Sequence, residues 1–326
     1  MMQQRIHGGP DAQGVPLHDF STNANACGPC PHALAALRAA DATRYPDPAY
    51  SALRESLGAF HGVAPARVVC AASGSEFIFR ITGWAAQRGV RKAWLPLHGY
   101  GDYAHAAKSW GLVAASQPGK DALAWACDPS SPLGAAQPDL QAWATSRHLA
   151  VLDRAYEPLR LESSLSLDGG QVDRLWQLWT PNKALGLTGV RGAYAIAPLA
   201  GLDAAAQLEA LSPSWPLGAH AVAMLQAWCE APVQQWLAGS LEILRAWKLR
   251  QQALCERMQW TVLPGHANFL CASADAFLNT DLLGQLRARG IKLRDCASFG
   301  LPGHVRLSVQ APASQDALYQ AWEQLT

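Results

Sequence analysis

The chain is predicted to fold as an α/β protein, with a mostly parallel central sheet, helices on both faces and a smaller α+β domain. Three observations predict it. Short apolar runs such as Val68–Ala71 and Leu149–Asp153 alternate with helical patterns. Strands that lack polar alternation are those buried on both faces, as in parallel sheets. From about Trp215 the texture changes to one long helical pattern followed by short strands. With 326 residues, 50% of them hydrophobic, the chain has room for roughly two domains.

The elements follow in order. Residues 1–45 are rich in Gly, Pro, Asn and Asp and read as an extended arm. Over Pro48–His61, Leu53, Leu57 and Phe60 share one helical face, and Gly62 follows as a stop. Val68–Ala71 reads as a buried strand, leading through Ser73-Gly74-Ser75 into a helix from Glu76 to Gln87. Ala93–Pro96 is strand-like, His98–Trp110 helical and Leu112–Ala115 strand-like. Pro138–Arg147 reads as a helix, and Leu149–Asp153, Trp176–Thr180 and Gly192–Ala197 as strands. Gln234–Gln259 is one helical pattern. Strands at Thr261–Leu263, Asn268–Cys271 and Val305–Val309 and a helix near Asp281–Arg289 complete the smaller unit. The expected division is an arm (1–45, packing with the small domain), a large domain (46–230) and a small domain (231–326).

Bulk properties exclude several function classes. A formal charge of +1 gives no long-range pull toward nucleic acid or anionic membranes. No apolar run reaches the roughly 18 residues of a spanning helix. Met1–Pro10 has no apolar core of a signal peptide. Eight scattered cysteines fit reduced thiols in a cytoplasmic protein. Cys27-Gly28-Pro29-Cys30 has the spacing of a redox pair, yet it lies in a Pro/Gly-rich arm rather than at a strand-to-helix junction. No second Cys/His pair of ligand spacing accompanies it, so no metal site is expected.

The chemistry-bearing run is Trp179-Thr180-Pro181-Asn182-Lys183-Ala184-Leu185-Gly186-Leu187-Thr188-Gly189-Val190-Arg191. A strand ends near a lysine, and a Gly-punctuated turn delivers an arginine. Upstream, Val151-Leu152-Asp153-Arg154-Ala155-Tyr156 sets a carboxylate at another strand end. This set suits pyridoxal phosphate (PLP). Its aldehyde needs a lysine, Lys183, to form an imine. Its pyridine nitrogen needs a carboxylate, Asp153, to stay protonated. Its phosphate needs helix N-terminal amides, at Gly74, Ser75 and Glu76, and a guanidinium, Arg191, with Thr180 assisting. Tyr100 is the expected ring-stacking aromatic, with Tyr103 and His98 as rivals. Tyr156 is placed to hydrogen-bond the cofactor's phenolate oxygen.

These residues make the chain resemble the fold-type I PLP enzymes, the class I/II aminotransferases with the aspartate aminotransferase-like fold. Within them it is similar to the branch of histidinol-phosphate aminotransferases and threonine-phosphate decarboxylases. The resemblance rests also on His7-Gly8-Gly9, Ser21-Thr22-Asn23-Ala24-Asn25, Arg44-Tyr45-Pro46-Asp47-Pro48, Arg294–Phe299 and Val305-Arg306-Leu307-Ser308. It implies a C2 homodimer in which Tyr45 reaches the partner's cofactor phosphate. It implies substrate contacts from Arg306 (the α-carboxylate), Arg294 (a substrate phosphate), Asn23 and His7. Two positions depart from the family pattern. Ser131, in Asp128-Pro129-Ser130-Ser131-Pro132-Leu133-Gly134, stands where an asparagine normally donates to the phenolate oxygen, and Asn182 stands where serine is common. The His7-Gly8-Gly9 start and the Arg294–Phe299 run favour a threonine-phosphate decarboxylase-like enzyme of cobalamin biosynthesis. The alternative is an aminotransferase of the histidinol-phosphate type. A PLP-binding protein without turnover is a third reading. A regulator with a DNA-binding module lacks both the room and a basic patch.

Overall fold

The structure, a computed structural model, describes residues 7–117, 119, 121–145, 149–279 and 281–325. The start of the arm, residues 1–6, and the end of the expected Pro138–Arg147 helix lie outside the described residues. Strand β1 (His18–Asp19) belongs to the arm. The central sheet contains β2 (Val68–Ala71), β3 (Lys92–Trp94), β4 (Val113–Ala114), β5 (Ala122–Cys127), β6 (Leu149–Asp153), β7 (Trp176–Trp179) and β8 (Ala193–Ile196). Their order is β2-β8-β7-β6-β5-β3-β4.

Neighbours from β4 to β7 pair in parallel. Strand β8 runs antiparallel to both β7 and β2, within the mostly parallel sheet that the sequence implies. The reason is the β7–β8 connection, residues 180–192. It holds the Lys183 turn and no crossover helix, and without one the chain returns in the opposite direction. The strand β5, unexpected from sequence, sits mid-sheet and is buried throughout.

Helices α1 (Pro31–Ala39), α2 (Ser51–His61), α3 (Gly74–Gln87), α4 (Gly101–Ser109), α5 (Leu140–Thr145), α6 (Gly169–Val172), α7 (Leu202–Ala210) and α8 (Ala219–Trp228) accompany the sheet. The arm is therefore not extended throughout. It includes α1, which opens on Pro31, the residue that best tolerates a first helical position. Helix α2 starts at Ser51 rather than Pro48, because Tyr50 takes a left-handed φ of 49°. It ends at Gly62, φ 66°, as the sequence implies.

The 27-residue helix α9 (Ala231–Arg257) spans both units. Its Val233, Leu237 and Leu244 join a core with α1, α2 and α8, while Cys255 joins the second unit's core. That unit contains β9 (Thr261–Val262), β10 (Phe269–Ser273), α10 (Ala276–Asn279), α11 (Leu282–Ala288), β11 (Ile291–Lys292), β12 (Arg294–Asp295), β13 (His304–Ser308) and α12 (Pro312–Glu323). Four of its strands form an antiparallel sheet, β12-β13-β10-β9.

The arm is shared between the two units. Strand β1 pairs in parallel with β11, and Phe20 is fully buried in the small unit's core. Beyond it, Asn25 N–H donates to the Lys183 carbonyl (2.9 Å) and Cys30 N–H to the Leu185 carbonyl (2.8 Å). Gly28 meets Gly186 so closely that a Cβ there would lie 2.9 Å from the Gly186 Cα. The Cys-Gly-Pro-Cys run is thus a turn packed on the lysine loop, and both its cysteines are free thiols.

Candidate active site

A cavity of about 2250 Å³ opens between the C-terminal ends of the central strands and the small unit. Strands β5 and β6 set its floor, with Cys127 and Asp153 paired in register. Asp153 is buried. Its Oδ2 accepts from the Tyr103 hydroxyl (2.6 Å) and its Oδ1 from the Ala155 amide (2.9 Å). Burial pushes its carboxyl above the usual range. The Tyr103 and Ala155 donors and the Lys183 charge oppose that rise. Each carboxylate oxygen takes one donor and keeps acceptor capacity for a cationic ring nitrogen.

Lys183 follows β7 on the turn clamped by the arm. Its Nζ donates to Thr180 Oγ1 (3.3 Å) and lies 5.5 Å from the Tyr156 ring centroid. Among the described residues no carboxylate pairs with it, so the amine is available for covalent chemistry. Asn182 lines the cavity. Its Nδ2 donates to the Val190 carbonyl (3.3 Å) and helps close the loop that carries Arg191. Arg191 is exposed and lines the cavity.

Helix α3 points its first turn at the cavity. Ser73 caps it, accepting from the Glu76 amide (3.1 Å). Glu76 therefore offers no free amide, and its carboxylate pairs with Arg80 (2.9 Å) and the Ala72 N–H (3.1 Å). The Gly74 and Ser75 amides have no acceptor within the helix and remain for an anion. A Cβ at Gly74 would lie 2.9 Å from Thr180 Cγ2, so glycine lets helix and lysine strand approach. The Tyr100 hydroxyl meets Ser75 Oγ (3.2 Å), and burial raises the Tyr100 phenol to about 12.

The opposite wall carries cations. Arg306, on β13, is register-paired with Arg294 on β12. Its Nη1 donates to Ser131 Oγ (3.1 Å), its Nη2 to the Ser21 carbonyl (2.9 Å), and its buried Nε has no partner. Arg294 donates to Ser298 Oγ (2.8 Å) and lies over the Phe299 ring. Burial and then the Arg306 charge lower its pKa. Asn23, buried, donates from Nδ2 to the Tyr156 hydroxyl (3.3 Å), and its Oδ1 is unpartnered.

His7 lies exposed on the rim. The glycines beside it are required. A Cβ on Gly8 would fall 2.1 Å from the Ser21 carbonyl oxygen, and Gly9 has φ +91°. The Gly9 amide donates to Ser21 Oγ (2.8 Å) and its carbonyl accepts from Lys292 (2.6 Å).

The expected residues thus line one cavity, except Tyr45 and the rival stacking candidate His98. Tyr45 is exposed, stacks on Trp215 (4.5 Å) and lies outside this chain's cavity. Ser131 holds Arg306 in place. The sequence reading missed Tyr103 as the partner of Asp153, and Phe299 as part of the far wall. His98 Nδ1 lies 2.8 Å from the Phe299 carbonyl. Only the fold brings those residues together; Tyr103's place three positions after Tyr100 was the one available signal.

A family model, aminotransferase class I and II, matches residues 15–325. The chain belongs to that family. It is 28% identical to histidinol-phosphate aminotransferase 1 of Burkholderia pseudomallei, over 94% of this chain and 91% of that protein. It is 27% identical to histidinol-phosphate aminotransferase 2 of Burkholderia lata, over 100% and 98%. Among solved structures, the fold matches histidinol-phosphate aminotransferase from Sinorhizobium meliloti in complex with pyridoxal-5'-phosphate. That match has a TM-score of 0.79, 21% identity, and coverage of 93% of this chain and 90% of that chain. It also matches L-threonine-O-3-phosphate decarboxylase from Porphyromonas gingivalis, with a TM-score of 0.73, 19% identity, and coverage of 90% of this chain and 93% of that chain. The protein is a fold-type I enzyme whose cofactor is pyridoxal phosphate. The donor set fits that group: an amine with no carboxylate partner among the described residues, a buried carboxylate with spare acceptor sites, and amides at a capped helix start without helix acceptors.

Proposed function

We propose that this enzyme acts on a phosphorylated amino acid and releases its carboxylate as carbon dioxide, in the manner of threonine-phosphate decarboxylases. The observation that carries this reading is the His7-Gly8-Gly9 arm. Its two glycines have the clearance and conformation that a side chain would disturb, and His7 lines the same cavity as Arg294 and Arg306. One substrate with both a carboxylate and a phosphate would engage that cationic wall at two points. A second reading has its own support: the relatives matched along nearly the whole chain are named histidinol-phosphate aminotransferases. The comparisons weigh toward that reading, and the arm toward decarboxylation.

Bound pyridoxal phosphate supplies an aldehyde that captures the substrate amine and a ring that accepts electrons from the bond being broken. The chain's residues do the rest. Asp153 holds positive charge at the ring nitrogen. Gly74, Ser75, Thr180 and Arg191 hold the phosphate. Tyr156 and Asn23 supply a hydrogen-bonded pair at the phenolate side, and Tyr100 a face for the ring. Arg306 fixes the substrate carboxylate, and so selects which Cα bond lies where electrons can be withdrawn. Lys183, displaced by the substrate amine, is placed to move a proton at Cα. Tyr45 is proposed to complete the phosphate site of a second copy in a C2 homodimer.

The test pairs two assays on the PLP-loaded enzyme. Carbon dioxide released from L-threonine phosphate supports decarboxylation. Glutamate formed from 2-oxoglutarate and histidinol phosphate, without carbon dioxide, supports the aminotransferase reading and overturns the first.

A further inference from the structure

The chemistry of the site leaves the buried Tyr103 without a task. It lies on α4, is 1% exposed, and stacks nearly parallel on Trp125 of β5, with 4.5 Å between centroids and a 16° tilt. Tyr100 meets its ring edge-on at 5.8 Å. The stack fixes the phenol so that its hydroxyl reaches Asp153 Oδ2 at 2.6 Å. Nothing in the PLP chemistry described above assigns Tyr103 a task.

We propose that Tyr103 is a positioning residue that keeps Asp153 ionised and aimed at the cofactor's pyridine nitrogen. A carboxylate enclosed by protein tends to take up a proton, and a protonated Asp153 would leave the ring nitrogen without its anion. A hydroxyl donated to the charged form opposes that uptake. Tyr103 can only act as donor, because burial and the facing carboxylate hold its phenol protonated. The Ala155 amide holds the other oxygen, so the carboxylate plane is fixed by one donor on each side. Trp125 sets the tyrosine's orientation, and β5 is thereby coupled to the state of the residue that ends β6. The inference rests on the reading of Asp153 as the pyridine partner.

The test is ¹⁵N NMR of enzyme loaded with PLP labelled at the pyridine nitrogen, in the parent, Tyr103→Phe and Asp153→Asn. The parent should show a protonated ring nitrogen. Y103F should move the signal toward neutral pyridine and weaken PLP retention on the order of tenfold, the loss of one hydrogen bond to a charged group. An unchanged Y103F signal beside a shifted D153N signal overturns the role of Tyr103 and leaves that of Asp153 standing. No shift in either variant overturns the Asp153 reading itself. A neutral nitrogen in the parent overturns both. Should Y103F fail to fold, 3-fluorotyrosine at position 103 keeps nearly the same shape with a more acidic phenol. A moved signal is then the expected result, and an unmoved one overturns the proposal.

Discussion

Gly74→Ala probes how tightly the phosphate end of the site is built. The added Cβ would lie 2.9 Å from Thr180 Cγ2, with Leu178 Cδ2 at 3.8 Å behind it. Thr180 is buried and branched at Cβ, so it has little room to turn aside. Overpacking of this kind costs about 1–3 kcal/mol. Alanine returns up to about 1 kcal/mol over glycine as a helix former. With the full return, the net is a loss of up to about 2 kcal/mol, a fall in Tm of up to about 3 °C for a chain of this length. The larger effect should be on cofactor binding. Any shift of Thr180 moves the hydroxyl that accepts from Lys183 Nζ, and any shift of α3 moves the Gly74 and Ser75 amides. PLP retention should fall on the order of tenfold, read by absorbance titration of the apoenzyme alongside thermal unfolding. Thr180→Ser removes the obstructing methyl and keeps the hydroxyl, so the G74A/T180S double variant should recover most of both losses. A stability gain in G74A with unchanged PLP affinity would refute the close-packing argument. So would strict additivity in the double variant.

Further outcomes follow from the same geometry. Arg306→Gln should lower kcat/KM for a carboxylate substrate on the order of 100-fold, the loss of a charge-assisted pair; steady-state kinetics on the holoenzyme check this. His7→Ala should raise KM with Tm unchanged, since His7 is exposed on the rim; an unchanged KM would remove His7 from the substrate site. His61 gives a pH effect. Burial first, and then the Arg154 charge, lower its pKa from 6.5 to about 4. The unfolded chain therefore binds a proton that the folded chain refuses between those values. Stability from this group is complete above about pH 6.5 and declines as pH falls toward 4, by at most about 3 kcal/mol. His61→Gln should flatten the acid limb of a Tm-versus-pH curve; an identical limb in both proteins would contradict this.

Much of the site was legible because its residues sit at strand ends. Val151-Leu152-Asp153 is an apolar strand that stops at a charged residue, and Trp176–Trp179 ends four residues before Lys183, patterns that local sequence carries by itself. The capping serine and glycine before α3 are equally local. The central strand β5 was not legible. Ala122-Leu123-Ala124-Trp125-Ala126-Cys127 is alanine-rich and buried on both faces, so it shows neither alternation nor strong strand preference. Helix α1 was hidden by the glycines and prolines that precede it. The reversed direction of β8 depends on what the intervening loop does, and the Tyr103–Asp153 bond joins residues 50 apart. The partition of the arm between two units is likewise long-range: it depends on β1 pairing with β11 and on Gly28 meeting Gly186.

The most direct measurement is borohydride reduction of the enzyme after incubation with pyridoxal phosphate, followed by peptide mass mapping. A single phosphopyridoxyl group on Lys183, absent in Lys183→Ala, is the expected result. A label on Lys248 or Lys292 instead, or protein that stays colourless and unlabelled, would contradict the placement of the cofactor between Lys183 and Asp153.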